Sequence, residues 1–252
     1  MERHFIILSD SYSEHKRIAL DILEKDEKDV KYITDIVLKI KKACKGEAPF
    51  STHSICTDSK DWESVVKVDT YFKDVDVFQD VDEFISKIMK DRTLRGKDVA
   101  KYILTKLCCS HLKLEKLCYL CYADYLCKTG EKLFRDKIYA FKYGPVIDSV
   151  YENYKKYGDL KINELEENIE NQELIERQKE YELPRESRIL FAEKGLKKVQ
   201  SINETLEKYG GFTASKLVRI THGKGTPWFR TYKNNMYDEI TDKEIVEGHC
   251  NE

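Results

Sequence analysis

The spacing of hydrophobic residues along the chain predicts a mainly helical protein. Residues 112–127 are apolar almost all round, which is typical of a central, buried helix. A second helical stripe runs from Leu196 to Leu206 and stops at the glycine pair Gly210 and Gly211. The second half of the chain is therefore predicted to consist of helices packed around one buried helix.

The first half of the chain has a less regular pattern. Phe5 to Leu8 predicts a short strand, and residues 16–45 have helical character that ends at Gly46. One face of that predicted helix carries four aliphatic residues: Ile33, Ile36, Val37 and Ile40. Residues 65–77 alternate loosely between apolar and polar positions, so we expect a strand or a hairpin there.

Capping residues predict where three helices begin. Asp80 is followed by Glu83, and Thr241 by Glu244, which is the spacing of a capping box. Thr213 can cap a short helix directly after the glycine pair. These three positions are therefore predicted to be helix N-termini.

The segment around residue 144 predicts a strand followed by a helix. Residues 137–142, with the sequence KIYAFK, have the composition of a strand. Gly144 and Pro145 are expected to open the helix, because a proline at the first helical position removes no N–H group that the helix needs. This predicted helix ends at Gly158.

These elements predict an α+β fold that is mostly helical. The pattern breaks at Gly96, which places a boundary between an α/β extension of unrecognised type, residues 1–92, and a helical domain with a small β element, residues 93–252. Residues 163–187 are rich in glutamate and weakly patterned, so we expect a solvated insertion or arm within the second domain.

Composition and charge restrict the class of protein further. The 252 residues include 44 Lys and Arg against 46 Asp and Glu, a net charge of −2, so no global field marks a nucleic-acid or membrane protein. The apolar runs are too short to span a bilayer. The first residues, MERHFIILSD, lack the apolar core of a secretion signal, and we expect a cytoplasmic protein.

The cysteines are expected to be reduced thiols rather than a disulfide framework, because no secretion signal is visible. There are eight, at positions 44, 56, 108, 109, 118, 121, 127 and 250. Cys118 and Cys121 have C-x-x-C spacing but lie on the apolar segment, where this spacing also describes one buried helix face. We therefore predict core packing there, with no metal and no cofactor.

The stretch ITHGKGTPW, residues 220–228, combines residue types that could serve catalysis, phosphate binding or structure. Thr221 and His222 are adjacent at a predicted helix end and have no acid close by in sequence, which argues against a nucleophile and base. The order Lys-Gly-Thr does not fit a phosphate loop. We predict no enzyme: the helix stops, Gly223 turns the chain, and Pro227 sets Trp228 either as a core plug or as an interface anchor.

Residues 208–237 form a segment without any acidic residue, where the chain average of 46 in 252 would give about five. The segment combines basic side chains with aromatic ones, and its helix, glycine pair and helix loosely resemble a helix-turn-helix. A nucleic-acid surface and a docking face for an acidic protein both fit this composition. We favour protein partners, because the chain as a whole is slightly acidic.

Four segments occur in an order that resembles the Panacea domain, the SocA-like antitoxin domain also found in phage-associated proteins. They are DVAKYIL at 98–104, KLEKLCYLCYADYL at 113–126, IYAFKYGPVIDSVYENYKKYG at 138–158 and YGGFTASKLVRITHGKGTPW at 209–228. The resemblance covers about residues 95–250. Its KYGP and TH–PW positions fall on these residues: Lys142, Tyr143, Gly144, Pro145, Thr221, His222, Pro227 and Trp228.

The resemblance implies a bacterial or phage protein that acts as the antitoxin of a type II toxin–antitoxin system by binding a toxin protein directly. Alternatives within the family are an adaptor that delivers its toxin to a AAA+ protease and a phage-associated interaction protein, and the basic 208–237 segment keeps a nucleic-acid-binding regulator open. The candidate partner-binding residues are Lys142, Tyr143, Lys216, Arg219, His222, Trp228 and Arg230. The motif residues expected to be structural are Gly144, Pro145, Thr221, Gly223 and Pro227.

Overall fold

The computed structural model describes residues 1–13, 15–24, 29–47, 49–162, 185–234 and 237–250. The chain divides into two compact units, one formed by residues 1–92 and the other by the described residues from 93 onwards. The first unit combines a sheet with helices and the second is mainly helical, so the predicted α+β class is confirmed. No helix in these ranges is both long and apolar enough to cross a membrane.

The first unit is built on a four-stranded sheet with the order β3-β1-β2-β4. Its strands are β1 (Glu2–Ser11), β2 (Lys16–Glu24), β3 (Ser51–Thr57) and β4 (Val75–Phe78). β1 pairs antiparallel with both β2 and β3, whereas β4 runs parallel to β2. The described residues of this unit also form three α-helices: α1 (Asp29–Ala43), α2 (Trp62–Val68) and α3 (Val81–Asp91).

The sheet is covered on both faces, because successive residues of a strand point to opposite sides. Ile7 belongs to a core cluster with Ile36 of α1 and Phe84 of α3, whereas its neighbour Ile6 belongs to another cluster with Val65 of α2. β1 and β2 are therefore central strands that lie between two layers.

This burial on both faces explains why the predicted helix over residues 16–45 is wrong in its first part. Ile18, Ala19 and Leu20 of β2 are all buried, so the strand shows an apolar run instead of an alternation. Such a run cannot be distinguished from a helix by periodicity alone. The second part of the prediction is confirmed, because α1 buries its predicted face.

The prediction of a strand or hairpin over residues 65–77 is also largely wrong. Residues up to Val68 belong to α2, a 3₁₀ turn follows at Thr70–Phe72, and only the end of the segment enters β4. The loose alternation of VKVDTYF reflects the one buried side of this short helix and turn, where Val65 and Phe72 lie in the core.

The second unit surrounds the central helix α5 (His111–Thr129), whose residues 114–123 are all buried. The other α-helices in the part of this unit that the structure describes are α4 (Gly96–Lys106), α6 (Asp148–Tyr154), α7 (Arg185–Phe191), α8 (Gly195–Tyr209), α9 (Ala214–His222), α10 (Pro227–Thr231) and α11 (Asp242–His249). A small sheet with the order β6-β5-β7 contains β5 (Ile138–Phe141), β6 (Gly144–Ile147) and β7 (Asp238–Glu239). The predicted central helix is therefore confirmed.

The predicted helix caps are confirmed as well. The Asp80 side chain accepts a hydrogen bond from the Glu83 amide at 2.7 Å, and the Thr213 hydroxyl accepts one from the Lys216 amide at 3.2 Å. Thr241 and Glu244 form a reciprocal capping box at the start of α11. Each bond satisfies an amide that has no partner within its helix.

The predicted helix start at Gly144 and Pro145 is wrong, because both residues belong to β6 and helix α6 begins at Asp148. Pro145 pairs with Ala140 at the edge of the sheet. A proline is tolerated in an edge strand, where its missing N–H group removes no bond within the sheet. The sequence Gly-Pro is compatible with both structures, and only the pairing partner in β5 decides between them.

The expectation that all cysteines are reduced thiols is wrong for two of them. Cys127 at the end of α5 and Cys250 after α11 are joined by a disulfide, with their Cα atoms 5.3 Å apart. Packing of α11 against α5 brings together two residues that are 123 positions apart. Cys118 and Cys121 are buried free thiols in α5, in agreement with the prediction of core packing.

The glutamate-rich insertion predicted at residues 163–187 lies almost entirely outside the described residues. Description resumes at Arg185, where α7 begins.

Candidate functional site

The KYGP motif and the TH–PW motif meet at the hairpin of β5 and β6. Lys142 and Tyr143 form its two-residue turn, between the paired residues Phe141 and Gly144. Gly144 has a φ of +108°, and a Cβ atom at this position would lie 2.7 Å from the Cε atom of Lys116. Glycine is required here both by the backbone conformation and by the close approach of that side chain.

The outer edge of β6 is attached to the central helix by two charged side chains. Lys116 donates a hydrogen bond from Nζ to the Pro145 carbonyl at 2.8 Å. The Oε2 atom of Glu115 accepts one from the Ile147 amide at 3.0 Å. These side chains take the place of a neighbouring strand, and they bind the edge groups of β6 that do not face β5.

Both charged groups lie inside the protein. Lys116 is completely buried, and this burial lowers the pKa of its amine to about 8, although the charge of Glu115 acts in the opposite direction. Glu115 is also buried, and its Oε1 atom lies 3.3 Å from Nε2 of His111. A buried charge is costly unless it has partners, and each of these two groups is hydrogen-bonded to the backbone of β6.

The inner side of the turn is held by Trp228. Its indole N–H donates to the Phe141 carbonyl at 2.7 Å, and its ring is stacked between His222, at a centroid distance of 3.7 Å, and Tyr232, at 4.8 Å. Trp228 is 9 % exposed and belongs to the core cluster. This burial means that the indole packs in the core of the second unit.

The stretch ITHGKGTPW forms a helix end and a tight connection, as predicted. The Thr221 hydroxyl donates to the Leu217 carbonyl within α9, and Gly223 follows as the C-cap residue. The Thr226 hydroxyl caps α10, where it accepts from the Phe229 amide at 3.2 Å, and Pro227 occupies the first turn of that helix. The bonding of Thr221 leaves its hydroxyl engaged with the backbone.

The side chain of His222 packs against Trp228. Its ring lies parallel to the Trp228 indole, with an interplanar angle of 4°. Burial and the neighbouring charge of Lys116 lower the pKa of His222, so the neutral imidazole is favoured. The Nε2 atom of His222 is buried and lies 3.0 Å from the position that a Cβ atom of residue 144 would occupy, so the half-buried ring packs against the turn.

The exposed candidates lie around this supported turn. Tyr143 is 62 % exposed, and the Lys142 ammonium lies 5.5 Å from the centre of its ring. Lys216 and Arg219 are exposed on α9, and Arg230 is exposed on α10. Because α9 contacts both β6 and α10, these residues belong to directly connected elements.

The sequence did not single out Glu115 and Lys116 as site residues. In the sequence they are part of a predicted apolar helix, and their burial becomes apparent only when β6 packs against α5. The sequence nevertheless contains a signal for them. Glu115 and Lys116 are adjacent charged residues within a segment that is otherwise apolar almost all round. Charged side chains are rarely buried in such a helix unless they have hydrogen-bond or ionic partners.

Comparisons with known proteins bear on these motifs. Residues 114–229 match the family model described as "Antitoxin SocA-like, Panacea domain". The match includes the hairpin turn, the buried pair on α5 and the stretch up to Trp228. A comparison with curated proteins and another with solved structures found no match to the chain. The chain is thus similar to the antitoxin SocA-like, Panacea family over residues 114–229, which is a little less than half of its 252 residues.

Proposed function

We propose that this protein is an antitoxin that neutralises a protein toxin by direct binding. The observation that carries the proposal is the match to the antitoxin SocA-like family over residues 114–229. The toxin itself is proposed only as a class, a protein whose active surface becomes covered in the complex.

The hairpin turn is the element best suited to make the central contact. Hot spots in protein interfaces are enriched in tyrosine and arginine, and binding costs less when the contacting group is already held in place. Tyr143 is such a group, because the backbone on both sides of the turn is bonded to Trp228 and Lys116.

The charges around the turn select the partner. Lys142, Lys216, Arg219 and Arg230 supply positive charge to the connected elements. The Nζ atom of Lys216 also lies 3.3 Å from the centre of the Phe212 ring. The Nη1 atom of Arg230 lies 4.0 Å from Oε2 of Glu247. We expect a toxin surface with acidic groups around an apolar pocket, since opposite charges steer association and suppress wrong partners.

Growth of cells that express the neighbouring gene, with and without this protein, tests the proposal. The expected result is toxicity of the neighbour alone, rescue by this protein and co-purification of the two. A neighbour that is harmless, or that is toxic and not rescued, contradicts the proposal. If rescue occurs while the toxin level falls, delivery to a protease replaces occlusion as the mechanism.

The role of the turn is tested with Tyr143→Ala. We expect toxin affinity to fall by about 30-fold, which corresponds to about 2 kcal/mol for a hot-spot side chain. Leu196→Ala is a matched control, because Leu196 is also a large exposed side chain of this unit but lies on α8. Equal affinities of the two variants would remove Tyr143 from the interface.

A second candidate, a nucleic-acid-binding regulator, has support from the exposed cations of the acid-free segment 208–237. Binding to phosphates would make the affinity for duplex DNA fall steeply with salt concentration. No binding to duplex DNA at low salt concentration excludes this candidate.

A further inference from the structure

The disulfide between Cys127 and Cys250 differs from the redox state of the other cysteines. All eight cysteines lie in the described residues, and the other six are free thiols. Two of these, Cys56 and Cys108, are exposed to solvent, where an oxidising environment modifies thiols. A disulfide framework would pair most of its cysteines, whereas a single bridge beside exposed free thiols is typical of a pair that changes its redox state.

The bridge lies where a thiol from solution can reach it. Cys250 is exposed directly after α11, and Cys127 is half-buried near the end of α5. The rate of thiol–disulfide exchange depends on which sulfur is attacked and on access to it. Cys250 is therefore the expected point of attack, because it is the more exposed of the two cysteines.

Noncovalent bonds hold α11 on α5 independently of the bridge. The Nε2 atom of His249, adjacent to one cysteine, lies 2.7 Å from Oδ1 of Asp124, which is one helical turn from the other cysteine. At the opposite end of α11, Asp242 accepts a hydrogen bond from the Tyr122 hydroxyl at 2.6 Å. These bonds keep the two thiols near each other after reduction, so the bridge can form again.

α11 also packs against α10, the helix that carries Trp228. Gly248 lies so close to Pro227 that a Cβ atom at position 248 would be 2.9 Å from the Cδ atom of the proline. Ile245 is fully buried in the same core cluster as Trp228. Since the Trp228 indole binds the Phe141 carbonyl, α11 is linked through α10 to the support of the hairpin turn.

We propose that Cys127 and Cys250 form a reversible redox site that controls how firmly α11 holds α10. The chemical partner is a small thiol of the glutathione class. Its thiolate attacks the sulfur of Cys250 and forms a mixed disulfide, while the Cys127 sulfur leaves as a thiolate and takes a proton from water. A second thiol then releases the Cys250 thiol, so that two small thiols are oxidised to one disulfide as the protein gains two thiols.

Opening the bridge leaves α11 with little to hold it in place. The helix has eight residues, of which Ile245 and Gly248 are buried. Short helices depend on packing for their stability, and the bridge restricts the chain when this packing is lost. In the reduced protein α11 and α10 therefore open locally more often, while the rest of the second unit stays folded. This proposal does not require that the hairpin turn binds a toxin.

Hydrogen exchange followed by mass spectrometry tests the proposal in the full chain. Cys56→Ser and Cys108→Ser are combined first, so that no exposed free thiol reacts with the buffer. The protein is then equilibrated with reduced or with oxidised glutathione. We expect the amides of α10 and α11 to exchange at least about tenfold faster in the reduced protein, and reoxidation to restore slow exchange. Residues 1–24 contain no cysteine and serve as the internal reference, where exchange should be unchanged.

Adding Cys250→Ser to this protein separates the redox reaction from other effects of glutathione. The amides of α10 and α11 should then exchange fast under both conditions. A bridge that is not reduced until the protein unfolds overturns the proposal, as does exchange in α10 that is equal in the two redox states. A redox response that survives Cys250→Ser also overturns it.

Discussion

Replacing Lys116 with methionine would separate the cost of a buried charge from the benefit of the hydrogen bond that it donates. Burial lowers the pKa of Lys116 from 10.5 to about 8. This lowering corresponds to about 3 kcal/mol of destabilisation of the charged form in the folded protein. Methionine removes this cost but leaves the Pro145 carbonyl without its donor, at a cost of about 1–3 kcal/mol. At pH 7 the two effects nearly cancel, and we expect stabilities within about 1 kcal/mol of each other.

The difference between the two proteins is predicted to change with pH. Above pH 8 the folded protein loses the Lys116 proton, whereas the unfolded chain keeps it up to about pH 10.5, so the unfolded state binds more protons and stability rises with pH. Between pH 7 and pH 10 the natural protein should gain about 2.5 kcal/mol relative to Lys116→Met. The thiols of Cys118 and Cys121, whose pKa values burial raises, are common to both proteins and cancel in the difference.

The assay is urea unfolding at pH 7 and at pH 10, followed by tryptophan fluorescence. The chain has two tryptophans, so Trp62→Phe in both proteins leaves Trp228 as the reporter of the second unit. Free energies of unfolding that change in parallel between the two pH values would refute the reasoning, because Lys116 would then titrate alike in the folded and unfolded states.

Two further predictions concern the support of the turn. Trp228→Phe removes the bond to the Phe141 carbonyl and part of the stack on His222, and we expect a loss of about 2 kcal/mol. Thermal unfolding measures it, with Trp62→Phe as the control, and an unchanged midpoint would contradict the role of the indole. Cys250→Ser opens the disulfide to Cys127, which closes a long loop, and should cost about 3–4 kcal/mol. Differential scanning calorimetry with and without a reductant checks this: the reductant should lower the midpoint of the natural protein and leave that of Cys250→Ser unchanged, and a midpoint of the natural protein that does not respond would contradict the disulfide.

Local signals predicted some elements of the fold correctly. The caps at Asp80, Thr213 and Thr241 depend on residues three positions away, and the helix end at His222 depends on the adjacent Gly223, so a short window of sequence contains the necessary information. The burial of α5 could also be predicted from the sequence, because a helix that is apolar almost all round must be buried.

Elements that depend on distant partners were predicted less well. β2 lies between two layers, and its apolar run has no alternation that would identify a strand. Gly144 and Pro145 form an edge strand only because β5 pairs with them, and the disulfide of Cys127 and Cys250 requires α11 to pack on α5. The residues next to Gly144 or Cys127 in the sequence do not indicate that β5 or α11 will pack there.

The sequence by itself determined the helical character of the second unit, the positions of several caps and the motifs that resemble the Panacea domain, because these features are encoded within a few neighbouring residues. Only the tertiary structure decided that Trp228 is buried while Tyr143 is exposed, and that Glu115 and Lys116 bind the free edge of the hairpin. Burial and edge pairing depend on residues that are far apart in the chain and become neighbours only in the folded protein.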